Sequence, residues 1–174
     1  MNNNFFKDYE KKDGKYIYVG DVYEIDLDSK NIDKLMKKMW LSLISLFMLS
    51  VLSGLIPFKG MIEAPYLIIL FGIELVIILL MLWGTMYFSN CRYGLTKMQY
   101  NKSVKRFKND TIVLVIAELA SIISAIIFEI IDKFDGILFF VVFVVIKILG
   151  ILVNISINKR INSLNFKIIS SKKE

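Results

Sequence analysis

Three ionisable side chains stand near the middle of long apolar runs: Glu74, Glu118 and Lys147. A charge at the centre of a bilayer costs roughly 2.5–3.5 kcal/mol even on lenient insertion scales, so a chain that keeps three must pair them or use them. Two carboxylates against one ammonium cannot all be charged and neutralised. The surplus carboxyl is expected to carry a proton, to accept hydrogen bonds from serines or to face a wet cavity. The trio is therefore compatible with two kinds of chemistry: a Glu-Lys pair that fixes helix register, and a carboxyl that exchanges protons during transport.

Other chemistry is short of residues. The 174-residue chain has no histidine and a single cysteine, Cys91. That leaves out histidine-based zinc sites, Ser-His-Asp and Cys-His nucleophiles, haem histidines and intramolecular disulfides. No catalytic site, metal or cofactor is expected. Glu129, Asp132 and Asp135 gather near Lys133, but they lack EF-hand spacing and a solvated loop accounts for them. Cys91 beside Arg92 reads as an inert boundary residue rather than a lipidation site.

The elements that must position the trio come from hydropathy. Hydrophobic residues make up 56% of the chain and the mean hydropathy is +0.58, above the roughly 45–50% apolar content of soluble domains. The excess sits in four segments, 39–58, 64–88, 111–131 and 137–157. Each can cross about 30 Å of hydrocarbon as a helix. The first follows a charged stretch of 38 residues and lacks a small-residue cleavage site, so it is expected to stay in the mature chain. The fold class expected is an all-α integral membrane protein, a four-helix antiparallel bundle spanning 39–158. It is flanked by an N-terminal tail, 1–38, and a basic C-terminal tail, 159–174.

Lys and Arg number 8 in the N-terminal tail, 6 between Arg92 and Lys108, and 5 after Ile157, while the two short hairpin loops hold only Lys59 and Lys133. The positive-inside rule then places both termini and the middle link in the cytoplasm of a cell membrane. The net charge of +6 is accounted for by topology and needs no nucleic acid. In the tail, residues 16–25 read as a β-hairpin turning at Gly20-Asp21, with Val19 opposite Val22. An isolated hairpin is marginal in water, so docking on the bundle, on lipid headgroups or on a partner is expected. Asp28 or Ser29 is placed to cap a juxtamembrane helix, 29–38, whose apolar stripe of Ile32, Leu35, Met36, Met39 and Trp40 suits the membrane interface. Lys34, Lys37, Lys38 and Trp40 are expected at anionic headgroups, as are Arg92, Lys105 and Arg106 in the middle link.

Helical geometry of about 100° per residue sorts the polar residues by face. Thr111, Glu118, Ser121, Ala125, Glu129 and Asp132 form one stripe of the third helix; Lys147, Gly150, Asn154 and Asn158 form one on the fourth, continued by Phe140 and Phe143. Ser42, Ser45 and Ser53 share a broad face of the first helix, with Ser50 and Gly54 beside it, a surface that admits close packing. Counted from the loops at about 1.5 Å per residue, Glu74 and Lys147 lie at nearly one level and Glu118 one turn deeper. All three are expected to meet, with Ser121, Glu129, Asn154 and the helix-one serines as a supporting polar seam.

Small four-helix multidrug exporters are reminiscent of this arrangement, but their membrane glutamate lies in the first helix, which carries no acid here, and no motif matches theirs. The expected function is that of a non-enzymatic membrane protein, an accessory, regulatory or immunity-type subunit acting by contact with a membrane partner. The alternative is a small proton-coupled transporter working as a homo-oligomer through Glu74, Glu118 and Lys147. The Lys, Asn and Ile bias matches an AT-rich bacterial genome.

Overall fold

The computed structural model describes residues 8–12, 14–90, 94–131 and 137–169. Among them, four stretches are long and apolar enough to cross a membrane: α1 (Ser29–Leu55), α3 (Pro65–Asn90), the stretch Lys97–Ile131 and α6 (Ile137–Asn162). Within the third, α4 (Lys97–Tyr100) passes through a π-helical turn, Asn101–Lys105, into α5 (Arg106–Ile131). α1 packs on α3 and α6, and α5 packs on the same two helices. The four thus form a ring of antiparallel neighbours in which α3 faces α6 across the diagonal.

Sequence chemistry sets the helix ends. Asp28 is the N-cap of α1, but its side chain makes no capping bond; its carbonyl oxygen accepts from the Asn31 and Ile32 amides at 2.9 and 3.0 Å. The juxtamembrane helix and the first span are one continuous helix. It stops at Leu55 rather than Phe58, because Pro57 excludes Ile56 from the helical region, and Ile56 is extended at φ −67°, ψ 129°. Pro65 opens α3, where its missing N–H costs nothing. The middle link, to which sequence patterning assigns no secondary structure, is helical from Lys97. A capping box starts that helix: Thr96 Oγ1 accepts from the Gln99 amide at 3.3 Å, and Gln99 Oε1 from the Thr96 amide at 2.8 Å.

The hairpin expected across Gly20-Asp21 does not form. Instead β1 (Tyr9–Lys12) pairs with β2 (Lys15–Tyr18), Lys12 opposite Lys15, with Gly14 at φ +78° between them. The dipeptide Asp13-Gly14 is the stronger hairpin signal, because type I′ turns need positive φ. β3 (Val22–Ile25) is then free to lie between β4 (Leu95–Thr96) and β5 (Phe166–Ile169), antiparallel to both. It joins the N-terminal tail, the middle link and the C-terminal tail in one sheet at one end of the bundle. Val22 faces Thr96 on one side and Ile169 on the other. Tyr23 stacks on Tyr100 at 4.5 Å, and Phe166 meets Tyr100 edge-on at 5.0 Å. The Tyr18 hydroxyl donates to the Asp21 carbonyl at 2.9 Å and accepts from the Lys97 amide at 3.1 Å, tying the hairpin to this sheet. Partial burial raises the Tyr18 pKa, an effect the Lys97 amide opposes.

This arrangement corrects the interfacial helix. Ile32, Met36 and Met39 are buried in the main core with Ile25, Leu95, Ile161 and Leu164, and Leu35 packs against them. The sheet and the end of α6 cover a stripe that sequence alone assigned to lipid. Lys34, Lys37 and Lys38 remain exposed and Trp40 is half-buried.

At the opposite end the chain between α1 and α3 turns inward. The short helix α2 (Lys59–Glu63) follows Phe58, which is 1% exposed and packs against Phe128, Phe140 and Phe143 at 5.4–5.9 Å. Gly60 permits this: a Cβ there would stand 2.6 Å from the Phe58 ring and 3.0 Å from that of Phe128.

Candidate functional site

α3, α5 and α6 each carry a polar residue on the face that the ring turns inward. Glu74 is 1% exposed, Ser121 2%, Lys147 3% and Glu118 4%. The Lys147 ammonium donates to Glu74 Oε2, a buried ion pair that spans the bundle diagonal from α6 to α3. The other Glu74 oxygen, Oε1, accepts from the Ser121 hydroxyl of α5 at 2.6 Å. Lys147 Nζ also lies 5.4 Å from the Phe143 ring centre and 5.9 Å from that of Phe71. Aromatic faces attract a cation, so the ammonium meets favourable charge on several sides. Three helices are thus tied through one carboxylate.

Glu118, one turn before Ser121 on α5, lies close enough to Glu74 and Lys147 to sense both charges. Its Oε1 occupies space left by Gly150 of α6; a Cβ at Gly150 would stand 2.6 Å from that oxygen. Its Oε2 is buried without a hydrogen-bond partner among the described residues. One turn beyond Gly150, Asn154 Nδ2 donates to the Thr111 carbonyl at 3.0 Å, and Asn154 Oδ1 has no donor among the described residues. The trio expected from sequence is assembled here, with Ser121 and Asn154 beside it.

The remaining seam residues lie elsewhere. Glu129 is fully buried on α5, three turns from Glu118 toward the aromatic end. Ser53 donates to the Ser50 carbonyl at 2.7 Å and Ser45 to the Leu41 carbonyl at 2.9 Å, so both spend their hydroxyls on α1 itself. Ser42 accepts from Arg160 at 2.8 Å; the same guanidinium donates to the Lys38 carbonyl at 3.1 Å. Close packing of α1 through Gly54 is confirmed by Phe71, whose ring lies 2.5 Å from a Cβ built at that position.

Arg160 and Phe71 carry contacts that sequence reasoning missed. Arg160 looked like one more charge of a basic tail, although helical periodicity continues through it. Phe71 precedes Glu74 by one turn on the same face, the spacing that lets its ring reach whatever the carboxylate binds. Among residues expected at headgroups, Lys105 is exposed and Arg106 pairs with Asp110 at 3.7 Å, while Arg92 lies outside the described residues. Asp132, Lys133, Asp135 and Cys91 also lie outside them.

Comparison of the chain with protein-family models, curated proteins and solved structures returned no match.

Proposed function

We propose that this chain is a non-catalytic multi-pass membrane protein that acts by contact, as an accessory, regulatory or immunity-type subunit of a membrane partner. The observation that carries this reading is the exposed apolar surface at the sheet end. Tyr16 and Ile17 of β2 are 63% and 48% exposed, and Ile168 and Ile169 of β5 are 61% and 48% exposed. These residues lie outside the four long helices, where lipid would cover apolar side chains, and exposed apolar patches on aqueous surfaces mark interaction sites. The strands that present them also have outer edges, which accept a further strand from a partner. The distribution of Lys and Arg supports a cytoplasmic position for this end, with both termini inside a cell membrane.

The internal cluster fits the same role. The Glu74 carboxylate is engaged by two helices, an arrangement suited to holding a bundle rigid while its sheet is recognised. Tagged protein purified from native membranes in polymer discs is expected to bring down a stoichiometric membrane partner. The partner is expected to be lost from Tyr16→Ser/Ile17→Thr and Ile168→Thr/Ile169→Thr variants that still fold. Recovery of this chain alone, or of a partner insensitive to both variants, would sink the reading.

A further inference from the structure

Among the described residues Lys147 supplies the one buried ammonium of the bundle, and Glu74 holds it. Glu118 is left with a carboxyl that is 4% exposed and has an oxygen with no donor among the described residues. Breaking or omitting the partner of a buried charge is strongly unfavourable, whereas the neutral form of a carboxyl is tolerated in a low-dielectric interior. The charged groups facing Glu118 from its neighbours are Glu74 on α3 and Lys147 on α6. From α1 comes Leu46, which is apolar, and 39–55 of that helix carries no charge. On α5 itself the nearest polar residue is Ser121, whose hydroxyl is turned to Glu74.

We propose that Glu118 is a proton-binding site coupled to the Glu74–Lys147 pair. With the proton on Glu118 the cluster is neutral: one carboxylate, one ammonium and one carboxylic acid. Release breaks the Glu118 O–H bond, sends the proton to solvent and leaves the cluster with one net negative charge. Two carboxylates then compete for one ammonium. Attraction to Glu118 draws Lys147 from Glu74, so proton occupancy governs how tightly α6 is tied to α3. The protonated carboxyl also brings a donor into an α5–α6 interface that otherwise presents acceptors at Glu118 Oε2 and Asn154 Oδ1. Gly150 makes room for the group, since any side chain at that position would displace the carboxylate. The site is independent of the contact function proposed above.

Infrared spectroscopy of the full-length protein in lipid nanodiscs tests this through the C=O stretch of protonated carboxyls at neutral pH. The wild type is expected to show the band. Glu118→Gln should remove a component of it, and Glu74→Gln should remove the same component, because Lys147 then serves an ionised Glu118. Lys147→Met should add a second component as both acids become neutral. A wild-type spectrum without a protonated carboxyl overturns the proposal whether or not any variant folds. A band unchanged by Glu118→Gln in folded protein also overturns it. Neither result bears on partner capture, so the contact reading stands or falls separately.

Discussion

Lys147 is held by the Glu74 carboxylate and the Phe71 ring of α3 and by the Phe143 ring of its own helix. Removing one member of a buried pair forces the other to bear an uncompensated charge in a low dielectric or to change its protonation state, at a cost of up to about 3–5 kcal/mol. Lys147→Met is therefore expected to lower thermal stability by that order. Adding Glu74→Gln should recover most of the loss, because no uncompensated charge remains at that pair. Equal destabilisation by the single and double variants in one detergent would mean that packing, not charge, dominates. Gly150 offers a second test at the same scale. Gly150→Ala forces the Glu118 carboxylate to move, with an overpacking cost of about 1–3 kcal/mol, whereas Gly72→Ala meets nothing within 4 Å and should be tolerated. Melting curves that rank the two variants the other way would contradict the placement of Glu118. The three central charges and Ser121 were visible in the sequence, because polar residues in apolar runs are costly and helical spacing sorts them. The orphaned oxygen of Glu118 was not, since it depends on which carboxylate the ammonium reaches.

At the level of elements, helix spans followed directly from hydropathy, and the departures have local causes. Pro57 ended α1 early, and the Thr96-Lys97-Met98-Gln99 capping box started a helix in the middle link. Turn choice was the main surprise. Two Gly-containing turn signals lie seven residues apart in the tail; the observed hairpin turns at Gly14, while β3 pairs on both of its edges with strands remote in sequence. The α1–α3 connection is more than a linker: it inserts Phe58 among three other phenylalanines. Phe58→Ala should cost about 3–5 kcal/mol, as for other large-to-small core changes, and should lower the melting temperature. A surface position would tolerate it, so an unchanged melt would place Phe58 outside the core.

Across the whole molecule, the sheet gathers three segments that are remote in sequence to one end of the ring. Tyr23 lies opposite Ile168, and Glu24 opposite Lys167, whose ammonium also pairs with Asp26 at 2.5 Å. Tyr23→Cys with Ile168→Cys in a Cys91→Ser background is expected to form an intrachain disulfide under mild oxidation. The product should run with altered mobility on a non-reducing gel. Its absence, with Tyr23→Cys and Leu95→Cys failing likewise, would remove the three-stranded sheet and with it the Ile168–Ile169 part of the surface on which partner contact rests.

What the sequence determined by itself was the set of four apolar helices, their alternating direction and the inward placement of Glu74, Glu118, Ser121, Lys147 and Asn154. Those features follow from local composition and from a period fixed by backbone geometry. Tertiary structure alone decided which helices stand diagonally opposite, and hence that Lys147 binds Glu74 while Glu118 is left over. It also decided that the stripe of Ile32, Met36 and Met39 is covered by the protein's own tails. An apolar stripe has the same pattern whether lipid, a partner or a distant strand covers it, because the hydrophobic effect is non-directional and does not name the surface that excludes water.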